Sequence, residues 1–250
     1  LRKPEGEKPL RILIIRHGDP NYEDDCLTEK GFVEADLLAK RLKKEKIDFF
    51  YVSPYRRARQ TAQPTLKLFH AKEVIYDWLH EFDYTVTQDD GIIKHIPWDL
   101  KPLQWTEHKE NFTCDKWGET DVMRSGDIQC KYDEVIRNLD QCLAEHGYVR
   151  KNQVYQAENA NTDTIAFFCH FGLEMVLLSH LLNLPVVALW HGAVAAPSSV
   201  TTLCTEEREK GAAYFRMNSF GDVSHLSAAE EPVSFQARFC EVYDDFTQRH

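Results

Sequence analysis

No apolar run in this chain reaches the ~20 residues that a membrane-spanning helix needs. The first nine residues, Leu1 to Pro9, are charged and proline-containing and hold no apolar signal segment. Seven cysteines are scattered without C-x-x-C spacing. An odd count with no signal segment predicts reduced thiols and a cytoplasmic protein. No His, Asp or Glu spacing resembles a metal site, and neither an internal repeat nor a low-complexity tract is present. Positive charge is scarce: 30 Lys and Arg face 40 Asp and Glu, a net charge of -10. That balance excludes nucleic acid and anionic membranes as general partners. An anionic substrate would then need a local basic pocket that outweighs the global field.

What is present suits one domain over 1–250. Of the 250 residues, 43% are hydrophobic and 28% charged, ample for a full core. The chain is organised around Leu13-Ile14-Ile15-Arg16-His17-Gly18-Asp19-Pro20. Its apolar run reads as a buried parallel strand that ends abruptly in a turn. Ligands of open α/β sheets collect at such strand ends. Here the strand delivers a fixed cation, an imidazole and a glycine that lets a ligand approach the backbone.

Thr28 is a plausible cap for a helix whose apolar face is Ala35, Leu38, Ala39 and Leu42. A second strand, 48–52, stops at Ser53-Pro54, which could open the next helix. Arg56, Arg57 and Arg59 would then crowd a helix N-terminus, where cations are unfavourable unless an anion balances them. Arg56 and Arg59 read as a solvated face. A short strand, 72–76, leads to Glu81, whose neighbours Trp78, Leu79 and Phe82 would desolvate it and raise its pKa. A carboxyl kept protonated near neutral pH is a general acid.

Residues 84–124 fit neither helical nor strand periodicity and carry Trp98 and Trp105 between prolines. They read as an insertion folded over the open end of the sheet, a lid facing the substrate. Residues 125–146 form an amphipathic helix that Gly147 ends. A polar connector, 151–161, follows. The strand 164–169 then repeats the opening pattern, ending in His170 with Gly172 close by. A helix starts beside His170, and helix N-termini bind phosphate. His191 reads as a loop residue before the strand 200–204. His225 lies in a turn-rich stretch after the strand 212–217. Both read as satisfied or solvent-facing imidazoles. Phe235, Phe239, Val242, Tyr243 and Phe246 suggest a final amphipathic helix.

Taken together, Arg16-His17-Gly18, Leu27-Thr28-x-x-Gly31, Ser53-Pro54-x-x-Arg57-Ala58-x-Gln60-Thr61-Ala62, Glu81 and His170 resemble the histidine phosphatase superfamily, in its phosphoglycerate-mutase-like branch. The resemblance implies an α/β, three-layer sandwich: a mixed, mostly parallel sheet with helices on both faces. It implies that His17 is the nucleophile, that Arg16, Arg57 and His170 hold the phosphoryl group, and that Glu81 protonates the leaving oxygen. No metal or other cofactor is called for. The partners implied are a small phosphorylated substrate and inorganic phosphate as product. The acid phosphatase branch has an Asp directly after the second His, where this chain has Phe171. The Ser-His-Gly-Gly common in mutases is Cys169-His170-Phe171-Gly172 here. Asn21 is a loose match for a phosphate-binding Asn of some relatives. Three functions stay open on these residues: a phosphomonoester hydrolase, a mutase of the same chemistry, and an inactive relative that binds phosphorylated ligands.

Overall fold

The alternation Ile12, Leu13, Ile14, Ile15 dictates a strand with apolar side chains on both faces, and both faces are covered. Ile12 and Ile14 join one core and Leu13 and Ile15 another. The computed structural model describes residues 9–87, 94–235, 242–245 and 247. Its main sheet is built from β1 (Arg11–Arg16), β2 (Phe49–Val52), β3 (Val74–Ile75), β4 (Tyr148–Lys151), β5 (Val154–Ala157), β6 (Thr164–Cys169), β7 (Val200–Glu209) and β8 (Ala212–Asp222). They lie in the order β3-β2-β6-β1-β7-β8-β5-β4. The first four run parallel. From β1 onward each neighbour is antiparallel. The sheet is mixed, as the resemblance implies, but half rather than mostly parallel, because three of its described pairings are parallel and four antiparallel; the parallel half holds the strands that carry the motifs.

Helices α1 (Glu29–Leu42) and α2 (Arg56–Phe69) cover the core of Leu13 and Ile15 through Leu38, Leu42, Ala62 and Leu66. Helices α3 (Ile128–Glu145), α4 (Phe171–Leu182) and α5 (Val186–Gly192) cover the other. That makes three layers. Helix α4 is buried on nearly every side, consistent with its almost unbroken apolar sequence.

The insertion is anchored rather than draped. Leu100, Trp117 and Met123 belong to the core under α3 and α5. Trp117 meets Tyr132 and Trp190 edge-on at 5.1 and 6.0 Å. Between these anchors lie only short helices, Pro102–Thr106 and Asp121–Ser125, and two 3-10 turns.

Several local expectations need correction. The polar connector 151–161 holds a strand: β4 and β5 form a hairpin at the edge of the sheet, where one exposed face tolerates polar residues. Helix α2 starts at Arg56 after Tyr55, so Ser53 does not cap it. His191 sits in the last turn of α5 rather than in a loop. Strand β8 runs on to Asp222, and His225 lies in a short helix, Ser224–Ser227. Strand 72–76 contracts to Val74–Ile75. Of the final helix, Phe239 and Phe246 lie outside the described residues, and Val242 pairs with Asp245 in an isolated bridge.

The start of α1 explains Leu-Thr-x-x-Gly. The Thr28 side chain accepts from the Gly31 amide, capping the helix. Its hydroxyl donates to Asp19 Oδ2 at 2.6 Å. A Cβ on Gly31 would overlap the Asp19 carbonyl, and one on Gly18 would sit 2.8 Å from the Gly31 carbonyl. The two backbones touch because both residues lack side chains. Gly31→Ala is therefore expected to destabilise the protein by about 1–3 kcal/mol. Phe32→Ala, at an exposed position of the same turn, is expected to stay within about 0.5 kcal/mol of wild type. Urea unfolding of both variants, read as a midpoint shift at constant slope, checks the contrast.

Candidate active site

β1 and β6 pair in parallel register, Arg16 opposite Cys169. The next residues of each strand, His17 and His170, therefore emerge side by side. Their ring centroids are 5.1 Å apart with planes tilted by 57°. Both are buried, at 1% and 0% exposure, at the C-terminal ends of their strands. Arg16 arrives with β1, Arg57 from the first turn of α2, and Glu81 from the loop after the 3-10 turn Asp77–Leu79. All three are buried.

The His17 ring is fixed by its own backbone: Nδ1 lies 2.8 Å from the Gly18 carbonyl oxygen. A carbonyl only accepts, so Nδ1 carries the proton and Nε2 keeps its lone pair. Burial, then Arg16 and Arg57, hold the His17 pKa well below 6.5. The ring is neutral and its Nε2 lone pair is free. His170 is lowered in the same way by burial, with His17, Arg57 and Arg16 adding to it. Its Nε2 shares a hydrogen bond with Ser53 Oγ at 2.7 Å, and its buried Nδ1 has no partner among the described residues. That is the use of Ser53, in place of capping a helix.

Arg16 donates from Nη1 to the Ala195 carbonyl at 2.6 Å, and its guanidinium lies 5.5 Å from the Phe171 ring centroid. Phe171, where the other branch has an Asp, thus supplies a face for the cation. Arg57 donates to Asp25 Oδ1 at 2.5 Å and lies over the rings of Tyr55 and Tyr22, at 4.8 and 5.4 Å. Asp25 also accepts from the Arg56 amide at 2.7 Å. Asp25 is the anion that the cation-rich start of α2 requires, and it comes from the chain itself. Arg56 and Arg59 are exposed, and Arg59 pairs with Glu73.

Glu81 Oε1 accepts from the amides of Phe82 and Leu173 at 2.7 and 3.0 Å. Burial raises its pKa, and the two amides, Arg57 and Arg16 pull against that rise. A Cβ on Gly172 would overlap the Trp98 indole and sit 2.9 Å from Glu81 Oε1. The glycine after Phe171 is what lets the acid and Trp98 reach the start of α4. Trp98 donates from Nε1 to the Phe82 carbonyl at 3.0 Å. Trp105 packs elsewhere, stacked on His191 at 5.0 Å and 20°. Asn21 bonds Asp24 and the Glu23 amide in an outer turn.

The remaining motif letters are braces. Thr61 Oγ1 accepts from the Gly18 amide at 2.9 Å and donates to the Arg57 carbonyl at 2.8 Å. Gln60 Oε1 accepts from the Leu27 amide at 2.8 Å. Sequence reasoning passed over Asp25, Tyr22, Tyr55 and two buried acids. Glu34 accepts from the Asp19 amide at 2.7 Å, and burial pushes it up to about 7. Glu174, buried in α4 against Thr201 near Arg16, is pushed up to about 8. An acid at a core-facing position of an apolar helix is the signal that could have found Glu174. No group of three or more His, Cys, Asp or Glu that could hold a metal occurs among the described residues.

The sequence profile of the histidine phosphatase superfamily (branch 1) matches residues 12–218. A Schizosaccharomyces pombe protein named as a probable phosphatase is 23% identical over 238 residues, covering 88% of this chain and 97% of its own length. Phosphoserine phosphatase 1 of Hydrogenobacter thermophilus is 25% identical over 117 residues, 41% of this chain and 54% of that protein. The chain thus matches about half of that bacterial relative. Among solved structures, a phosphoserine phosphatase of Entamoeba histolytica superposes with a TM-score of 0.56 at 19% identity, covering 87% of this chain and 99% of the other. A mycobacterial glucosyl-3-phosphoglycerate phosphatase gives 0.55 at 19% identity, covering 84% and 98%. These two likenesses show the shared fold.

Glu174 generates a test of the electrostatics. Its unfolded carboxyl ionises near 4.5, whereas the folded one stays protonated up to about 8. Between those values the folded state holds the extra proton, so wild type loses stability as pH rises. Glu174→Gln has no such proton to lose. Its stability relative to wild type is expected to climb from pH 5 to pH 7.5, on the order of 1 kcal/mol per pH unit. Urea midpoints of both proteins across that range measure it. A flat difference would refute the burial of an acid there.

Proposed function

The chain belongs to the histidine phosphatase superfamily, branch 1, and we propose that it hydrolyses a small phosphorylated metabolite through a phosphohistidine at His17. It is a phosphoric monoester hydrolase by that membership. The observation that carries the mechanistic proposal is the Nδ1 bond to the Gly18 carbonyl, which leaves Nε2 of a neutral imidazole as the nucleophile.

In the first step Nε2 attacks phosphorus, the bond to the ester oxygen breaks, and Glu81 gives its proton to the departing alcohol. Arg16, Arg57 and His170 disperse the charge of the transferring phosphoryl group. Arg57 leaves Asp25 for the phosphoryl oxygens. In the second step water attacks phosphorus, the Glu81 carboxylate takes its proton, and His17 leaves neutral with phosphate free. The scheme calls on no metal. We assign substrate choice to Trp98, which stands beside Glu81, and to Tyr22 and Tyr55 around Arg57. Hydrolysis is favoured over mutase chemistry by the relatives, which are named as phosphatases. We place the reaction in a reducing, cytoplasmic setting on the strength of cysteines that are free thiols in the described residues. No described helix is long and apolar enough to cross a membrane.

Rapid quench with a radiolabelled ester is expected to trap base-stable, acid-labile label on wild type and none on His17→Ala. Turnover without such label would sink the mechanism. Activity should follow a bell. Its acid limb belongs to His17, below 6.5, and its alkaline limb to Glu81, above 4.5. In rapid-quench labelling of His17, Glu81→Gln should abolish the alkaline limb and slow alkyl phosphates by roughly 100- to 10,000-fold, while aryl phosphates, whose leaving groups hardly need the proton, lose far less in that step. Trp98→Ala should reorder a panel of phosphate esters. Trp105→Ala, which removes the stack on His191, should lower stability and leave that order alone.

A further inference from the structure

The segment Ala195–Ser199 passes behind the end of β1 and grips it at three points. The Ala195 carbonyl accepts from Arg16 Nη1 at 2.6 Å, and the Ser199 carbonyl accepts from the Arg16 amide at 3.2 Å. The Ser198 amide donates to the His17 carbonyl at 2.9 Å. Nucleophile and first cation thus hang from one short clamp, whereas Arg57 and His170 are carried by α2 and β6.

The centre of that clamp is held in an unfavourable shape. Ser198 has φ +60, a left-handed conformation that a residue with a Cβ rarely adopts. Its Oγ lies 3.0 Å from Nε2 of His225, and both side chains are buried. His225 Nδ1 has no partner among the described residues. A bare lone pair is easier to bury than an orphaned N–H, which puts the proton on Nε2 and makes His225 the donor to Ser198 Oγ. His225 is itself anchored from two elements. The Ser224 amide donates to Asp222 Oδ1 at 2.7 Å at the end of β8, and Arg41 of α1 donates to Asp222 Oδ2 at 2.6 Å. Burial, then Arg41, push the His225 pKa down to about 4, so the ring is neutral near pH 7.

We infer that Ser198 and His225 are a positioning pair: His225 holds the left-handed turn at Ser198, and the turn holds His17 and Arg16 in register for attack. This rests on the phosphohistidine reading above. It predicts a larger loss in the phosphoryl-transfer step than in capture of phosphate, because Arg57 and His170 are fixed independently while His17 and Arg16 move with the clamp. A displaced nucleophile costs about 100-fold for about 1 Å.

The test compares His225→Ala, Ser198→Ala, His225→Gln and the double variant Ser198→Gly/His225→Ala, with thermal unfolding as the check on folding. Rapid-quench labelling of His17 by an aryl phosphate is expected to slow by roughly 10- to 100-fold in His225→Ala and Ser198→Ala. Their orthophosphate affinity, which Arg57 and His170 keep and only Arg16 loses, should fall far less than the labelling rate. The amide of His225→Gln can reach the same oxygen and should restore most of the rate. Ser198→Gly in the His225→Ala background should also recover, since glycine accepts positive φ without a holding bond. The pair is overturned if folded His225→Ala and Ser198→Ala label at the wild-type rate, if orthophosphate affinity falls as much as the labelling rate, or if His225→Gln is no better than His225→Ala. Should His225→Ala fail to fold, Ser198→Ala, the smaller change, decides. A wild type that takes no label fails the proposed function instead, which separates the two.

Discussion

The parallel ladder between β1 and β6 is the constraint from which the site follows. With Arg16 opposite Cys169, both strands release a histidine at the same height, and the sheet holds the two rings 5.1 Å apart. A slip of one residue in either strand would turn one imidazole to the opposite face of the sheet. The apolar residues that fill both cores hold the register, because Ile14 and Leu13 cannot exchange faces without leaving their clusters. Packing and site geometry are thus the same constraint seen from two ends.

Around that ladder, the polar letters of the motifs are mostly scaffolding. Thr28, Gly31, Gln60 and Thr61 never need to touch a substrate. They tie the loop after β1 to the starts of α1 and α2, leaving Gly18, Leu27 and Gly31 with bonded amides, and Glu34 does the same for Asp19. The loop is buried, and buried backbone donors without partners are costly. Each motif residue answers one such demand. His225 and Ser198 extend the same principle behind the strand, where the clamp on His17 and Arg16 must hold a strained turn.

Electrostatics are resolved locally in a chain of net charge -10. Desolvation is the leading cause of the shifts at His17, His170 and Glu81: it strips charge from the imidazoles and raises the pKa of the acid. The two arginines reinforce the neutrality of the rings and oppose the rise at Glu81. Asp25 pairs with Arg57, and its partial exposure makes that pair easier to break than a fully buried one. The acidic surface thus contributes the counterion of a buried arginine.

Much of this was legible in the residues themselves. The two apolar runs ending in His, the Thr28 cap and the raised Glu81 follow from period, flanking residues and desolvation, all of which are local, whereas Arg57 was set apart from Arg56 and Arg59 only by the family resemblance. The hairpin of β4 and β5 was not legible, because edge strands with one wet face lack the apolar run that marks a central strand. Ser53 looked like a cap because Ser-Pro commonly is one, and only the pairing of β2 with β6 reveals His170 as its partner. Trp98 and Trp105 are equivalent in sequence. Tertiary packing alone separates them, sending one to Glu81 and the other to His191. The clamp at 195–199 is the same kind of case: nothing local ties Ser198 to His17 or to His225. The motifs, through the family they resemble, named the side chains of the candidate site. The fold decided which of them meet, because contacts across the sheet depend on the register and packing of distant segments.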